Sequence, residues 1–357
     1  MPKNKRQHYV PQFYQRFFSN GEDCLPNLNL ISGKINWKSS INRQAQSDYF
    51  YGKDNGMEEF LDKEIETPAS NVLKNIIKNA CINEINDNEY IILMKYIALQ
   101  FTRTKKMSRD LNTLTNKSTE EFIRYYSSKD HPAGELKQKL GVADYHKKKA
   151  PLITTIAGMG ILHNFLDLEC CLLANNSGEG FITSDSPVTV YNQFLYKKKS
   201  RYIIGLKYAG LQIFFPLSPH LMIYLYDRNV YRHNYDQTMK IVISSKEDIK
   251  SLNILQAINA DNIVMFNADT NSECYMNKIF IKAQSFRSKM EARVDVSNIN
   301  SRSPVIVEHI VHSLYRLNLS FIKERKSAKR IKVKENYIPL RDGLGVNPFK
   351  EIEHIKL

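Results

Sequence analysis

The sequence predicts an α+β fold in which an N-terminal hairpin and a helical block pack with a mixed or antiparallel sheet, followed by a C-terminal helix and a basic tail. Apolar residues recur at helical spacing through residues 57–166, and short apolar or β-branched runs bounded by turn residues follow at 169–266. The composition, 42% hydrophobic and 25% charged, is that of a globular protein and excludes a disordered chain. We therefore predict one domain over residues 1–275 and a C-terminal helical extension with a flexible basic tail over 276–357.

The first elements are extended. Apolar and polar residues alternate on both sides of Ser32 and Gly33, which predicts a hairpin there. Residues 57–78 then have helical periodicity, and Pro68 is expected to kink or split that helix because proline lacks the amide hydrogen. Asp87 is the predicted cap of the next helix.

Further helices are predicted from caps and periodicity. Ser118 and Glu121 have the spacing of a capping box. Residues 128–150 are polar, basic and marked by Gly and Pro, which predicts a loop or mobile arm, and residues 153–166 predict a buried helix.

The second half of the chain is predicted to be rich in strands. The expected strands are residues 169–175, 181–183, 188–191, 212–215 and 221–226. A helix is predicted over residues 246–259, and Ser303-Pro304 is a typical start for a last helix through residue 319. Residues 323–334 carry many more basic than acidic side chains, which predicts an exposed, flexible tail.

The charge balance points towards an anionic partner. A formal net charge of +14 raises the non-specific affinity of the protein for polyanions, and nucleic acid is the commonest such partner. The alternative is that the charge only gives the protein a basic pI and serves no particular partner. The five cysteines are scattered without a CxxC pair, which indicates reduced thiols and a cytoplasmic location. No apolar stretch has membrane-spanning length, so we expect no membrane association. A partner protein or a homodimer is the further partner expectation beside nucleic acid.

Two candidate sites lie in the first hundred residues. His8, beside Gln12 and the rigid Pro11, could act as a general base or metal ligand, or it could be a structural histidine in an aromatic cluster. Glu59 and Glu66 share a helix face, so they could bind a hard divalent cation, or they could simply form a solvated face.

Two further candidates follow. Gln100 and Arg103 are three residues apart, so the guanidinium could hold a phosphate or carboxylate, or it could pair with an acidic residue and join two elements. Asp185 ends a strand beside Ser184, where it could serve chemistry or could accept hydrogen bonds from nearby main-chain amides.

These segments, in this order, resemble a bacterial family catalogued as domain of unknown function 4238. The resemblance rests on the opening His8-Tyr9-Val10-Pro11 with Phe13-Tyr14, the Phe50-Tyr51 step, the acidic helix, the Gln100–Thr104 helix end, the Ser184–Val188 loop and the Phe215–Pro219 turn. It covers residues 5–265, departs from the family pattern at Gln15-Arg16 and Lys105, and implies no established activity.

The hypothesis that unites these features is a metal-assisted phosphodiesterase or nuclease. His8, Gln100, Arg103 and Asp185 would converge, Glu59, Glu66 and Asp185 would hold Mg²⁺ or Mn²⁺, and Gln12, Ser184, Lys147 and Lys148 would contact RNA or DNA. The bacterial setting of the family suggests a toxin or phage-defence effector by association only. The alternatives are a non-catalytic sensor or binding module for an anionic ligand or a partner protein, or binding through the basic surface alone.

Overall fold

A computed structural model describes residues 5–127, 142–198, 205–235, 237–287, 292–297, 305–310, 315–333, 338–341 and 345–346. Its helices are α1 (Gln12–Arg16), α2 (Gly56–Phe60), α3 (Thr67–Asn79), α4 (Asp87–Thr102), α5 (Lys105–Ser127), α6 (Val142–Gly160), α7 (Gln193–Lys197), α8 (Lys246–Asn259) and α9 (Glu273–Arg287). A π-helical segment, Leu61–Glu66, joins α2 to α3, and 3-10 turns lie at Ile41–Arg43, Leu162–Asn164 and Lys326–Arg330.

Two larger sheets organise the chain, and together with the helices they confirm the α+β prediction. The strands are β1 (Arg6–His8), β2 (Asn27–Asn29), β3 (Ile35–Asn36), β4 (Gln46–Asp48), β5 (Glu169–Asn175), β6 (Thr183–Ser184), β7 (Thr189–Tyr191), β8 (Gln212–Pro216), β9 (Leu221–Tyr226), β10 (Tyr231–Arg232), β11 (Lys240–Ile243), β12 (Ile263–Met265), β13 (Ala292–Ser297), β14 (Val305–Ile310), β15 (Lys323–Glu324), β16 (Ile338–Pro339) and β17 (Gly345–Val346). The five-stranded sheet has the order β11-β5-β9-β8-β7 and the four-stranded sheet the order β3-β2-β12-β6. Only the β11–β5 pair is parallel in the five-stranded sheet, so that sheet is mixed.

The five-stranded sheet is covered on both faces, which explains why its central strands are apolar throughout. Along β9, Leu221, Ile223 and Leu225 join a first core with the helical block, since successive strand residues point to opposite faces. Met222 and Tyr224 join a second core with α8, α9 and the segment from Tyr315 onward. A strand buried on both faces has no polar side, as is typical of such sheets.

The predicted hairpin is confirmed, with β2 and β3 paired around Ser32 and Gly33. The first helical run is not split: α2 continues through the π-helical segment into α3, and Pro68, which lacks an amide hydrogen, stands directly after the π-helical turn. The cap of α4 is Asn86 and not Asp87. Asn86 and Glu89 exchange side-chain and main-chain bonds of 3.0 and 2.9 Å.

Two predictions in the helical regions are wrong, and a third is right except for the end of the helix. Ser118 and Glu121 lie inside the continuous helix α5, because Ser-x-x-Glu is also compatible with a helix interior when helix formers surround it. Residues 142–150 are helical and belong to α6, although part of the predicted 128–150 loop lies outside the described residues. The predicted helix 153–166 ends at Gly160 and is followed by a 3-10 turn.

One C-terminal prediction is also wrong, and a second is right in that the basic side chains of the tail are exposed but misses how the segment is paired. Val305–Ile310 is a strand paired with Ala292–Ser297, since the β-branched run outweighs the helix-start signal of Ser303-Pro304. The tail from Lys323 is held in place, because Lys323–Glu324 pairs with Tyr231–Arg232. The hydroxyl of Tyr191 anchors the preceding segment by donating to the Tyr315 carbonyl at 3.1 Å and accepting from the Leu317 amide at 3.0 Å.

Candidate functional site

A buried polar network joins the end of α4 to the π-helical segment. The Arg103 side chain has no exposed surface, and its Nη1 donates to Glu66 Oε1 at 2.7 Å. Its Nε donates to Gln100 Oε1 at 3.0 Å, as expected for residues three apart on a helix. Burial, the largest single effect, would lower the pKa of Arg103, but the charge and hydrogen bond of Glu66 together with the effects of Tyr51 and Tyr96 outweigh it, so the pKa is raised and the guanidinium stays charged.

The opening segment of the chain is tied into this network through its main chain. Gln100 Nε2 donates to the Tyr9 carbonyl at 2.9 Å. Gln7 accepts from the Tyr51 amide at 2.7 Å and donates to the Gly52 carbonyl at 3.0 Å, and the Tyr51 hydroxyl donates to the His8 carbonyl at 3.2 Å. The opening motif and the Phe50-Tyr51 step thus meet at the end of α4.

The π-helical segment determines which acidic side chains face the network. Its turn is wider than an α-helical turn, which changes which residues before and after it lie on the same face of the helix. Glu58 acts electrostatically on Tyr51 together with Glu66, while Glu59 is exposed. Burial, followed by the charges of Glu66 and Asp62, raises the pKa of Glu58. The second carboxylate of the network is therefore Glu58, not the predicted Glu59.

Four buried polar atoms around this network have no hydrogen-bond partner among the described residues. They are Arg103 Nη2, the Tyr96 hydroxyl, Glu58 Oε2 and Asn55 Oδ1. Tyr96 is fully buried, which raises the pKa of its hydroxyl, and the adjacent Arg103 guanidinium opposes that rise, so these two groups lie next to each other.

Asp185 lies in a different environment, at the end of β6. Its Oδ1 accepts from the Asp261 amide at 2.7 Å, and its Oδ2 accepts from the Asn262 and Ile263 amides at 2.7 and 3.1 Å. Burial and the charge of Asp261 raise the pKa of Asp185 to about 6, against the opposing effect of these amides. Asp185 joins β6 to the start of β12, which is the main-chain role considered as the alternative to chemistry.

His8 lies on β1 with its side chain on the opposite strand face from Gln7, because successive strand residues alternate. Burial lowers the pKa of His8, while the main chain of Asn42 and Ile41 opposes this effect. Its Nε2 is buried without a partner among the residues that the structure describes. Gln12 accepts a 3.3 Å hydrogen bond from Arg16 on the exposed side of α1.

The predicted catalytic groups are therefore only partly brought together. Arg103 is bonded to Gln100 and to Glu66, and Tyr51 interacts both with Arg103 and with the His8 carbonyl, whereas the Asp185 carboxylate accepts from the main-chain amides of residues 261–263. Ser184 accepts from Gln256 at 2.8 Å and from the Ser186 amide at 3.0 Å inside the core. Lys147 and Lys148 lie on α6, and their side chains fall outside the described ones.

The metal prediction rested on Glu59, Glu66 and Asp185, which do not come together. Glu66 is the partner of Arg103, Glu59 is exposed, and Asp185 accepts main-chain amides. In the described ranges, no group of three or more His, Cys, Asp or Glu side chains is arranged to hold a metal ion.

A second polar surface, which we name the basic ribbon, contains part of the basic tail that the sequence predicted to be exposed. It consists of β10, β15 and the 3-10 turn after β15. Its exposed basic side chains are Arg232, Lys323, Arg325, Lys326, Lys329, Arg330 and Lys332. The one acidic residue of β15, Glu324, pairs with Lys197 at 2.7 Å. The basic composition of residues 323–334 was the available signal, but the sequence did not show that this segment pairs with β10.

Fold and site together define an α+β protein with a two-faced mixed sheet, a buried Gln–Arg–Glu network at one end of the helical block and a basic ribbon fixed to the second core. The chain belongs to the family DUF4238, described as a protein of unknown function, whose model matches residues 6–270. No curated protein and no solved structure matches the chain. Within the described residues, no helix is both long and apolar enough to cross a membrane.

Proposed function

We propose that this protein binds nucleic acid through the basic ribbon, without chemistry at the predicted catalytic residues. The observation that carries the proposal is the register of the ribbon, in which Arg232 lies directly opposite Lys323. Directly opposed residues in an antiparallel pair project to the same face, and like charges there destabilise the pair. A bound phosphate would relieve this repulsion.

The geometry of the ribbon supports a fixed electrostatic surface. The Arg325 amide donates to the Val230 carbonyl at 2.8 Å, and its Nε donates to the Arg228 carbonyl at 2.6 Å. Asp248 holds the segment before β15 by accepting from the Ser320 amide at 3.0 Å. A phosphate backbone would therefore meet basic residues whose main chain is already held in place, which reduces the entropy lost on binding.

The candidate catalytic groups support binding over cleavage. The charge of Arg103 is compensated by Glu66 with Glu58 close by, which disfavours a phosphate at that point. Both oxygens of Asp185 accept main-chain amides. A sequence-independent polyanion contact needs none of these groups.

The test is fluorescence anisotropy with labelled RNA and DNA oligonucleotides over a series of salt concentrations. We compare wild type with the variant Lys326→Glu/Lys329→Glu/Arg330→Glu. If three phosphate contacts are lost, the slope of log K against log salt should fall by roughly 2–3. The matched control, Lys74→Glu/Lys78→Glu/Lys95→Glu, removes the same charge from exposed positions of α3 and α4 and should change the slope much less.

Two results would contradict the proposal. One is the absence of binding by wild type at low salt, and the other is an equal loss in the ribbon variant and its control, since the latter would show that only net charge matters. Incubating the same oligonucleotides with the protein and Mg²⁺ or Mn²⁺ tests the nuclease hypothesis in parallel. If wild type cleaves them, and folded Asp185→Ala or His8→Ala variants do not, the nuclease hypothesis would replace the binding proposal.

A further inference from the structure

We infer, on the basis of the nucleic-acid binding proposed above, that Tyr235 stacks on an unpaired base and that the basic ribbon therefore binds single-stranded nucleic acid in preference to a duplex. The ribbon would supply the phosphate contacts, and the tyrosine ring would supply the contact to the base.

Tyr235 lies at the same end of the ribbon as the opposed cations Arg232 and Lys323. It follows Arg232 by three residues, so their Cα atoms are at most about 11 Å apart. Because β10 and β15 are antiparallel, the residues after Arg232 and the residues before Lys323 leave the ribbon at the same end. The 3.1 Å contact between His233 Nδ1 and the Phe321 carbonyl joins those two extensions. A base at Tyr235 would therefore lie next to a pair of cationic side chains.

The Tyr235 side chain is exposed and is supported from the interior. Tyr235 is 36% exposed, and its hydroxyl interacts with that of Tyr226, which is buried at the end of β9. The Tyr226 ring lies 4.6 Å from the His233 ring between centroids, and the same imidazole lies 6.2 Å from the Phe321 ring. The exposed ring is therefore connected to the second core, so less side-chain freedom is lost when a base stacks on it.

The charges around the exposed ring leave this end of the ribbon cationic. Glu324, the acidic residue of β15, pairs with Lys197 at 2.7 Å. Glu169, which acts electrostatically on Tyr226, lies 3.8 Å from Arg228. Both carboxylates thus have basic partners of their own, and the opposed cations on β10 and β15 remain available to the phosphates on either side of a stacked base.

An aromatic ring beside cationic side chains distinguishes a single strand from a duplex by what each exposes. Inside a duplex, the neighbouring base pairs cover both faces of each base, so the duplex offers the ribbon only its phosphates. In a single strand the faces of the bases are accessible, and an aromatic side chain can stack on any of them. Phosphate contacts and stacking are thus available together only in the unpaired form.

Fluorescence anisotropy of the full chain with labelled oligothymidylate, oligouridylate and a DNA duplex tests the stacking contact. Tyr235→Ala should weaken the binding of single strands about tenfold, as expected for the loss of one stacked base. It should leave duplex binding unchanged, which also shows that the variant is folded. Its salt slope should equal that of wild type, because stacking releases no counterions, whereas the glutamate variant of the ribbon lowers the slope.

The two single strands identify the source of the base. A loss with oligouridylate alone assigns the stacked base to RNA, a loss with oligothymidylate alone assigns it to DNA, and a loss with both shows that the sugar plays no part.

Two further variants separate the ring from other effects of substitution. Tyr235→Phe keeps the ring and should bind single strands like wild type, since stacking does not use the hydroxyl. Phe60→Ala is the matched control, because Phe60 is an exposed aromatic residue on α2 in the helical block, and its loss should change neither affinity nor salt slope.

The stacking contact is refuted if Tyr235→Ala binds single strands as tightly as wild type, if it weakens duplex binding by the same factor, or if it behaves like Tyr235→Phe. Where the glutamate variant of the ribbon still lowers the salt slope, such a result refutes the role of Tyr235 alone. If wild type binds no nucleic acid, or if the ribbon variant and its lysine control lose affinity equally, the proposed function fails and the base contact fails with it.

Discussion

Acidification should destabilise this protein through His233. The imidazole lies beside the basic ribbon, against the rings of Tyr224 and Tyr226 with centroid distances of 5.4 and 4.6 Å, and its Nδ1 is 3.1 Å from the Phe321 carbonyl. Its Nε2 is buried without a partner among the described residues. A proton added there would therefore be buried without an acceptor, and this burial lowers the pKa of His233 to about 4.

The sign and size of the effect follow from that pKa. The unfolded chain binds a proton at His233 near pH 6.5, and the folded chain binds it only near pH 4. Stability from neutral His233 is thus fully present above pH 6.5 and is lost as the pH falls towards 4. A difference of about 2.5 pKa units corresponds to about 3 kcal/mol in total, of which about 2 kcal/mol is lost at pH 5.

The measurement is urea denaturation at pH 8 and pH 5 for wild type and His233→Phe. Phenylalanine keeps the ring but cannot titrate, so the variant should be less stable at pH 8 yet lose about 2 kcal/mol less on acidification. The difference between the two proteins cancels the titration of other groups. His220→Phe, at an exposed position, should retain the pH dependence of wild type. If wild type and His233→Phe lose the same free energy of unfolding between pH 8 and pH 5, the argument from burial is refuted.

Three further predictions concern the networks described above, and chemical denaturation checks each of them. Arg103→Met should lower the free energy of unfolding by about 3–5 kcal/mol, because it leaves Glu66 as a partly buried charge without its partner; a loss below about 1 kcal/mol would contradict the network. Asp185→Ala should cost at least about 3 kcal/mol, since three main-chain amides lose their acceptor, and a near-neutral effect would show that water replaces the carboxylate. Asn86→Ala should cost about 1 kcal/mol and Asn55→Ala less than half of that, because only the first makes a capping box, and equal costs would contradict the difference between the two helix starts.

The strands were predictable where burial on both faces leaves a continuous apolar run. Residues 169–175 and 221–226 were predicted with the bounds that β5 and β9 have. The C-terminal region was predicted less well, because Ser303-Pro304 is a local signal whereas the pairing of β14 with β13 is a contact between separate segments. Similarly, composition indicated a basic tail but could not show that it pairs with Tyr231–Arg232.

The candidate site was predictable in its local part only. The spacing of Gln100 and Arg103 predicted that their side chains lie together, and they are hydrogen-bonded. Glu66 was assigned to a metal because its partner depends on how the π-helical segment packs on α4, which no spacing rule provides. His8 was grouped with Arg103, although strand alternation places Gln7, and not His8, on the side of Tyr51.

The double cover of the central sheet has a consequence for the order of folding. The strands β5, β8 and β9 leave the ribosome well before α9 and the segment from Tyr315 onward, which supplies Tyr315, Leu317, Leu319 and Ala328 to the second core. Until that segment is synthesised, α8 covers only part of this face of the sheet, and the rest of its apolar surface is open to water and to other chains. Nascent chains stalled at residue 270, where the family match ends, should therefore need chaperones or aggregate, although every residue of the Gln–Arg–Glu network has already been made.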